Sequence, residues 1–184
     1  YQRLDFANNL DSFSVTNNLA WEKLNANTWR IQTGGASGFT ISYFIKATRA
    51  FVATPYLDST RGYISPAGVF LYPADRLKQK VQVTIKPYAA WKDVATGLDV
   101  VAGENYTYSA PDYDVLYDCP ILIGNLEKLP SFNVQGIPHH FIGYKLGEFD
   151  KTQFVSDLEK IVATGSEIIG HIPYKQYTFI AIGP

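Results

Sequence analysis

The 184-residue sequence contains no methionine and a single cysteine, Cys119. One cysteine excludes an internal disulfide framework. Its place beside Pro120 and an apolar run (Ile121, Leu122, Ile123) predicts a buried structural thiol rather than a nucleophile. No apolar run approaches the roughly 20 residues that a membrane-crossing helix requires. Charge is sparse as well: 16 basic residues stand against 17 acidic ones and leave a net charge of -1. Binding a polyanion needs a concentrated excess of Lys and Arg, so nucleic acid is excluded as a partner. With no methionine at its start, and with Gly183 and Pro184 following directly on an apolar run, the sequence is expected to be a piece of a longer protein.

Recognisable catalytic motifs are equally scarce. There is no His-Glu-x-x-His, the spacing that sets two imidazoles on one helix face around zinc. Of the three histidines, His139 and His140 are adjacent, and on a strand adjacent side chains point to opposite faces, so these two cannot share one ion. No Gly-x-Ser-x-Gly elbow exists to expose a nucleophilic serine. The glycines at 34, 35 and 38 lack a following helix and a Lys-Ser/Thr pair, so they read as a hairpin loop between strands at 28–32 and 39–45, not as a phosphate cradle. Asp112, Asp114 and Asp118 cluster in a segment flanked by Pro111 and Pro120, where aspartates close turns and cap helices.

What is abundant is apolar and aromatic material, 46% and 15% of the chain, the latter including 13 tyrosines. The first two-thirds read as β structure: residues 39–46 alternate as a half-buried strand does, Val81, Val83 and Ile85 share one face of a strand over 81–86, and further short strands are expected over 51–54, 69–72, 106–109 and 131–135, punctuated by Pro55, Pro66, Pro73 and Pro87. Short strands at this spacing predict a mainly β fold, an open or sandwiched antiparallel sheet. The last third changes character. A strand over 140–146 leads to Asp150, an N-cap residue with Gln153 as capping-box partner and with Phe149 and Phe154 placed as a hydrophobic staple. A helix is expected from 151 to 169, with a stripe of Phe154, Leu158, Ile161, Val162, Ile168 and Ile169, and Gly170 ending it. A strand over 177–182 completes a β-α-β segment.

Four stretches in order resemble the glycyl aminopeptidase family, gluzincin zinc metallopeptidases that often carry a PDZ domain. They are the opening Tyr1-Gln2-Arg3-Leu4-Asp5-Phe6-Ala7; Tyr56-Leu57-Asp58-Ser59-Thr60-Arg61-Gly62-Tyr63 followed by Gly68-Val69-Phe70-Leu71-Tyr72; Trp91-Lys92-Asp93-Val94-Ala95-Thr96-Gly97-Leu98; and the segment from Asp112 to Gly124, which is similar to the family's Asp-Tyr-Asp-x-Leu-x-Asp-x-Pro pattern. The resemblance implies an amino-terminal β domain of sandwich or saddle shape over residues 1–136, and over 137–184 the start of a thermolysin-like α+β catalytic domain. It implies a parent that hydrolyses amino-terminal peptide bonds with zinc-activated water, in the bacterial cytoplasm or periplasm. The chain itself is expected to be non-catalytic, with no metal ligand and no cofactor of its own. Its partner is the remainder of the catalytic domain, whose peptide-binding cleft it would wall. In related enzymes a polar group of the amino-terminal domain helps hold the substrate's free amine. The segment from Pro55 to Pro66, expected as a loop between two strands, offers Asp58 and Arg61 for substrate binding. A carboxylate pairs well with an ammonium; the alternative is that Asp58 and Arg61 pair across the loop and steady its turn. A second function class is a carbohydrate-binding β-sandwich whose exposed aromatics stack on sugars.

Overall fold

The structure, a computed structural model, describes residues 5–47 and 54–183. The opening motif up to Leu4, and the strand expected over 51–54 apart from Thr54, lie outside the described residues. The described chain is mainly β and its sheets are antiparallel except for one parallel pair.

Strand β1 (Leu10–Val15) pairs with β4 (Ile41–Ile45), and β2 (Trp21–Asn25) with β3 (Thr28–Ile31), giving two small sheets. Phe13 of β1 stacks on Trp29 at 5.3 Å and meets Trp21 edge-on at 4.7 Å, so aromatic packing joins the two sheets. The glycine-rich segment at 34–38 is therefore not the hairpin loop expected: β3 turns back to β2, and β4 crosses to β1. The reason lies in Ala26 and Asn27, whose two-residue connection takes β3's hydrogen bonds first, leaving the glycines as a crossover.

The core sits between two further sheets. One orders β7 (Val81–Thr84), β10 (Thr107–Ala110) and β9 (Asp99–Val100); the other orders β5 (Tyr56–Leu57), β6 (Arg61–Ile64), β11 (Ile121–Gly124) and β8 (Asp93–Ala95). Val83, Tyr108 and Ala110 from the first meet Ile121 and Ile123 from the second, with Trp91, Leu98 and Leu116 closing the cluster. Ile121 and Leu122 lie on opposite faces of β11 and are both 0% exposed; each contributes about 1.5–3 kcal/mol by leaving water. Leu116 belongs to α1 (Tyr113–Asp118), so the aspartate-rich segment is a short helix rather than a string of turns, with Asp112 accepting at 3.0 Å from the Val115 N–H as its cap.

The strand expected over 69–72 does not form. A 3₁₀ turn at Pro66–Gly68 precedes it, and its main chain bonds to the Pro66 carbonyl and to tyrosine hydroxyls instead of a neighbouring strand. Tyr43 donates to the Val69 carbonyl at 2.9 Å and accepts from the Leu71 N–H at 3.4 Å, and Tyr117 donates to the Phe70 carbonyl at 3.2 Å. Burial among Tyr113, Tyr72 and Tyr43 pushes the Tyr117 phenol up to about 12.

In the last third, β12 (Glu127–Lys128) and β13 (Phe132–Val134) both pair with β14 (Ile137–Tyr144), and β15 (Tyr177–Ile182) joins β14 in parallel through α2 (Lys151–Ile169). The helix has the expected bounds. Asp150 accepts from the Gln153 N–H at 2.9 Å, Phe149 and Phe154 rings sit 5.4 Å apart, and Gly170 adopts φ 88° while donating to the Ser166 carbonyl. The capping box is only half made, because the Gln153 amide donates to Asp157 at 2.9 Å instead of reaching back to the cap. The apolar stripe also departs from expectation: Ile161, Ile168 and Ile169 are exposed.

Candidate functional site

The segment from Pro55 to Pro66 is a hairpin, not the loop expected. Strands β5 and β6 pair Tyr56 with Tyr63 and Leu57 with Gly62, and the turn between them is built by Asp58. Its N–H donates to the Arg61 carbonyl at 3.1 Å. Its Oδ1 accepts from the Thr60 N–H and hydroxyl, both at 2.7 Å, and from the Arg61 N–H at 3.0 Å. Its Oδ2 accepts from the Tyr56 hydroxyl at 2.7 Å. An aspartate supplies this geometry because its short side chain reaches main-chain donors two and three residues on. The Tyr56 hydrogen bond first, then the Thr60 hydroxyl and N–H, hold the carboxyl far below the usual carboxylate range, so it is an anion at any physiological pH.

Arg61 begins β6 opposite Gly124 of β11, and its side chain is 16% exposed. The guanidinium lies 4.7 Å from the ring centroid of Tyr56 and 5.0 Å from that of Tyr144 at the end of β14. Asp58 Oδ2 is 3.9 Å from its Nη1, a loose ion pair, and its buried Nε has no hydrogen-bond partner. Two aromatic faces thus offset the desolvation of the cation. The structure brings Asp58, Arg61, Tyr56 and Tyr144 together where the hairpin meets the carboxyl end of β14. Tyr144 was not among the residues nominated from sequence, since only the pairing of distant strands puts it there.

The other groups with chemistry are occupied. His139 is 0% exposed; its Nδ1 sits 2.9 Å from the Ile137 carbonyl and its Nε2 3.1 Å from the Tyr174 hydroxyl, and its ring stacks on Phe132. Burial holds its pKa below the usual imidazole value. His140 Nδ1 is 2.8 Å from the Ser131 hydroxyl. Lys78 bridges Asp112 at 3.2 Å and Asp114 at 2.6 Å. The Cys119 thiol is half-buried and pushed up by that burial. Among the described residues no group of three or more His, Cys, Asp or Glu is placed to hold a metal ion, so the residues present do not fit a zinc site. An open depression lined by Asp99, Val100, Ser109, Pro138, Lys175 and Gln176 has only the exposed Lys175–Asp99 pair, at 3.9 Å, as a charged anchor.

Comparison with solved structures finds the same fold elsewhere. An aminopeptidase N family protein from Idiomarina loihiensis superposes with a TM-score of 0.85 at 24% identity, over 97% of this chain and 31% of that one. An M1 zinc metallopeptidase from Deinococcus radiodurans gives 0.51 at 14% identity, over 93% of this chain and 46% of that one, and a mutant of an enzyme of that kind from the same organism, bound to a Tyr-Ser-Ala substrate, gives 0.52. The chain spans about a third to a half of the length of these proteins. No curated protein sequence matches it. Residues 1–125 match the Peptidase M61 N-terminal domain, and the chain belongs to that family.

Proposed function

We propose that this chain is the non-catalytic amino-terminal part of a zinc-dependent aminopeptidase, of the glycyl aminopeptidase kind that its motifs resemble. The observation that carries the reading is the match of residues 1–125 to an M61 peptidase N-terminal domain. The likeness in fold to larger aminopeptidase-type proteins supports it. In this reading zinc and the general base are supplied by the remainder of the catalytic domain: the sequence has no His-Glu-x-x-His, and among the described residues no group of three or more His, Cys, Asp or Glu is placed to hold a metal ion. In place of a division at 136, we set the start of the catalytic domain between Gly124 and Glu127. The reason is that β12 and β13 hydrogen-bond to β14, and the family match stops at 125.

An aminopeptidase must close one end of its cleft so that only a free chain end reaches the metal. In this reading the β sandwich, packed on a core of Val83, Tyr108, Ile121 and Ile123, is that wall, and its contribution is steric and electrostatic. The hairpin turn supplies the polar group. Three donors saturate Asp58 Oδ1, while Oδ2 accepts one hydrogen bond, is only loosely paired with Arg61 at 3.9 Å, and has a lone pair to offer the ammonium of a substrate. Arg61, held between two tyrosines, fixes the turn on β14.

The test uses the polypeptide that includes the catalytic remainder. Asp58→Asn keeps an oxygen at Oδ1 and replaces Oδ2 by an amide group that repels an ammonium. A raised KM for short peptides, measured per folded molecule, supports amine binding, over and above any loss of melting temperature from the Tyr56 hydrogen bond that Oδ2 accepts. A lowered melting temperature with unchanged kinetics per folded molecule leaves Asp58 a builder of the turn and refutes its role in binding.

A further inference from the structure

Of the histidines only His139 is fully enclosed, at 0% exposure. It lies near the start of β14, opposite Phe132 of β13 on one side and Tyr177 of β15 on the other. The ring stacks on Phe132 at 5.1 Å and on Tyr177 at 6.3 Å, and Tyr174 meets it edge-on at 5.7 Å. Its tautomer follows from its partners. The Ile137 carbonyl, 2.9 Å from Nδ1, can only accept, so Nδ1 carries the hydrogen. Nε2 of the neutral ring is then an acceptor, and the Tyr174 hydroxyl donates to it at 3.1 Å.

Tyr174 stands in the segment between α2 and β15, and the two residues after it reach the sandwich. The Gln176 amide donates to the Leu98 carbonyl at 3.0 Å, and Lys175 lies 3.9 Å from Asp99. Leu98 belongs to the buried core cluster and is 2% exposed. The lysine pair is exposed and screened by solvent, so the Gln176 hydrogen bond is the firmer of the two. The buried imidazole holds this segment on one side, and Gln176 ties it to the sandwich on the other.

A proton on Nε2 upsets the arrangement. The ring then donates at both nitrogens, and the Tyr174 hydroxyl must turn its hydrogen elsewhere. The positive charge is buried without a counter-ion. Tyr174 and Tyr177 are neutral phenols, and β13 brings no charge. His140, on the opposite face of β14, disfavours a second cation. Lys175, next in the chain to Tyr174, is a further cation, and its partner Asp99 is exposed. Helix α2 covers the same face, since Phe154 packs on Phe141 two residues along β14. Its Asp157, Glu159, Lys160 and Glu167 are exposed, and its Lys151 is paired with Glu127. The faces of Phe132 and Tyr177 offset part of the cost. Desolvation outweighs them and holds the imidazole below its ordinary value of 6.5.

We propose that His139 and Tyr174 form a proton-sensitive latch: with His139 neutral the segment 171–176 is held on the sandwich, and protonation in mild acid releases it. The alternative to a buried, unbalanced cation is an opened segment in which Nε2 reaches water. Release is local, because Arg61 and Tyr144 fasten the sandwich to the other end of β14 independently. The closed form binds the proton less readily than the open one. Closure is therefore complete above the ordinary value of 6.5, weakens as pH falls from there to the lower value of the closed form, and is constant below it.

NMR on the 184-residue chain, from about pH 7.5 to about pH 5, tests the latch by reading the His139 ring nitrogens and the exchange of the Gln176 side-chain amide with water, relative to free glutamine. At the upper pH the ring should carry hydrogen on Nδ1 alone, and the Gln176 amide should be protected. As His139 takes up its second proton, that protection should fall on the order of tenfold with the same midpoint. The amides of β11, paired on both sides, should stay protected throughout. Gln176 protection that is unchanged through the His139 titration overturns the proposal, as does an imidazole that stays neutral at the acid end with Gln176 still protected. Loss of β11 protection at the same midpoint overturns it too, because the whole chain is then opening. Tyr174→Phe keeps the ring and removes the hydroxyl. It should leave Gln176 less protected than in wild type already at the upper pH; protection and pH dependence equal to wild type would refute the role of Tyr174 and with it the latch.

Discussion

Arg61 lays its guanidinium over the ring of Tyr144, 5.0 Å from the centroid, and so fastens the hairpin of the sandwich to the last residue of β14. The contact is sheltered, with the Arg61 side chain 16% exposed, and a partly desolvated cation–π pair is worth about 0.5–2 kcal/mol. A double-mutant cycle of Arg61→Ala and Tyr144→Ala by denaturant unfolding should give a coupling of that size. Strict additivity would mean that the two residues are neighbours without an energetic link.

Asp58 is expected to show its two oxygens separately. Asp58→Ala removes both carboxylate acceptors of the turn and should lower the melting temperature clearly more than Asp58→Asn, which keeps the Oδ1 set. The pH dependence follows from the depressed pKa. The folded chain binds the Asp58 proton less readily than the unfolded chain, whose carboxyl titrates near 3.8. Its contribution to stability is therefore complete above pH 3.8 and is lost as pH falls through the lower, folded value. Acid unfolding curves of wild type and Asp58→Asn should converge below pH 3.8; a constant separation down to the most acid conditions would contradict the role of the charge.

How far the sequence could be read depends on how local each signal was. The helix α2 was legible to the residue because its cap, its staple and its terminal glycine all lie within it or beside it. Strands with alternating burial, such as β4 and β7, were legible for the same reason. The buried strand β11 shows no alternation, and residues 69–72 are an apolar run that looks like a strand although the Pro66 carbonyl and two tyrosine hydroxyls from elsewhere in the chain take their main-chain hydrogen bonds. Of the site, Asp58 and Arg61 were visible as charged groups in a motif. That Asp58 is engaged by its own turn, and that Tyr144 faces Arg61, depends on strand pairing that no short window encodes.

The cap of α2 offers a local test of that legibility. Asp150→Ala removes the acceptor for the Gln153 N–H, and N-cap losses of this kind cost about 1 kcal/mol. Chemical denaturation should detect that loss with an unchanged m-value. No change in midpoint would mean that solvent replaces the cap without penalty.

Close approach explains two glycines at the end of the parallel pair. A Cβ on Gly143 would collide with the Leu146 side chain and lie 2.6 Å from the Ala181 carbonyl oxygen, and one on Gly183 would collide with the main chain of Lys145. Backbone cannot yield as a flexible side chain can, so Gly143→Ala should destabilise by about 1–3 kcal/mol, as overpacking does. Gly165, whose added Cβ meets nothing within 4 Å, is the control. Alanine there should be neutral or stabilising, since it favours the helix by up to about 1 kcal/mol. Equal effects at both positions would rule out the steric explanation.

We have proposed that this chain walls the closed end of an aminopeptidase cleft and supplies no catalytic group. The most direct measurement compares the hydrolysis of glycyl and alanyl anilides with that of their N-acetylated forms, by the polypeptide that includes the catalytic remainder and by the 184-residue chain alone. The account predicts turnover of only the free-amine substrates, by only the longer polypeptide, with stoichiometric zinc found in it and none in the short chain. Turnover by the short chain, or equal turnover of acetylated and free substrates by the longer one, would contradict it.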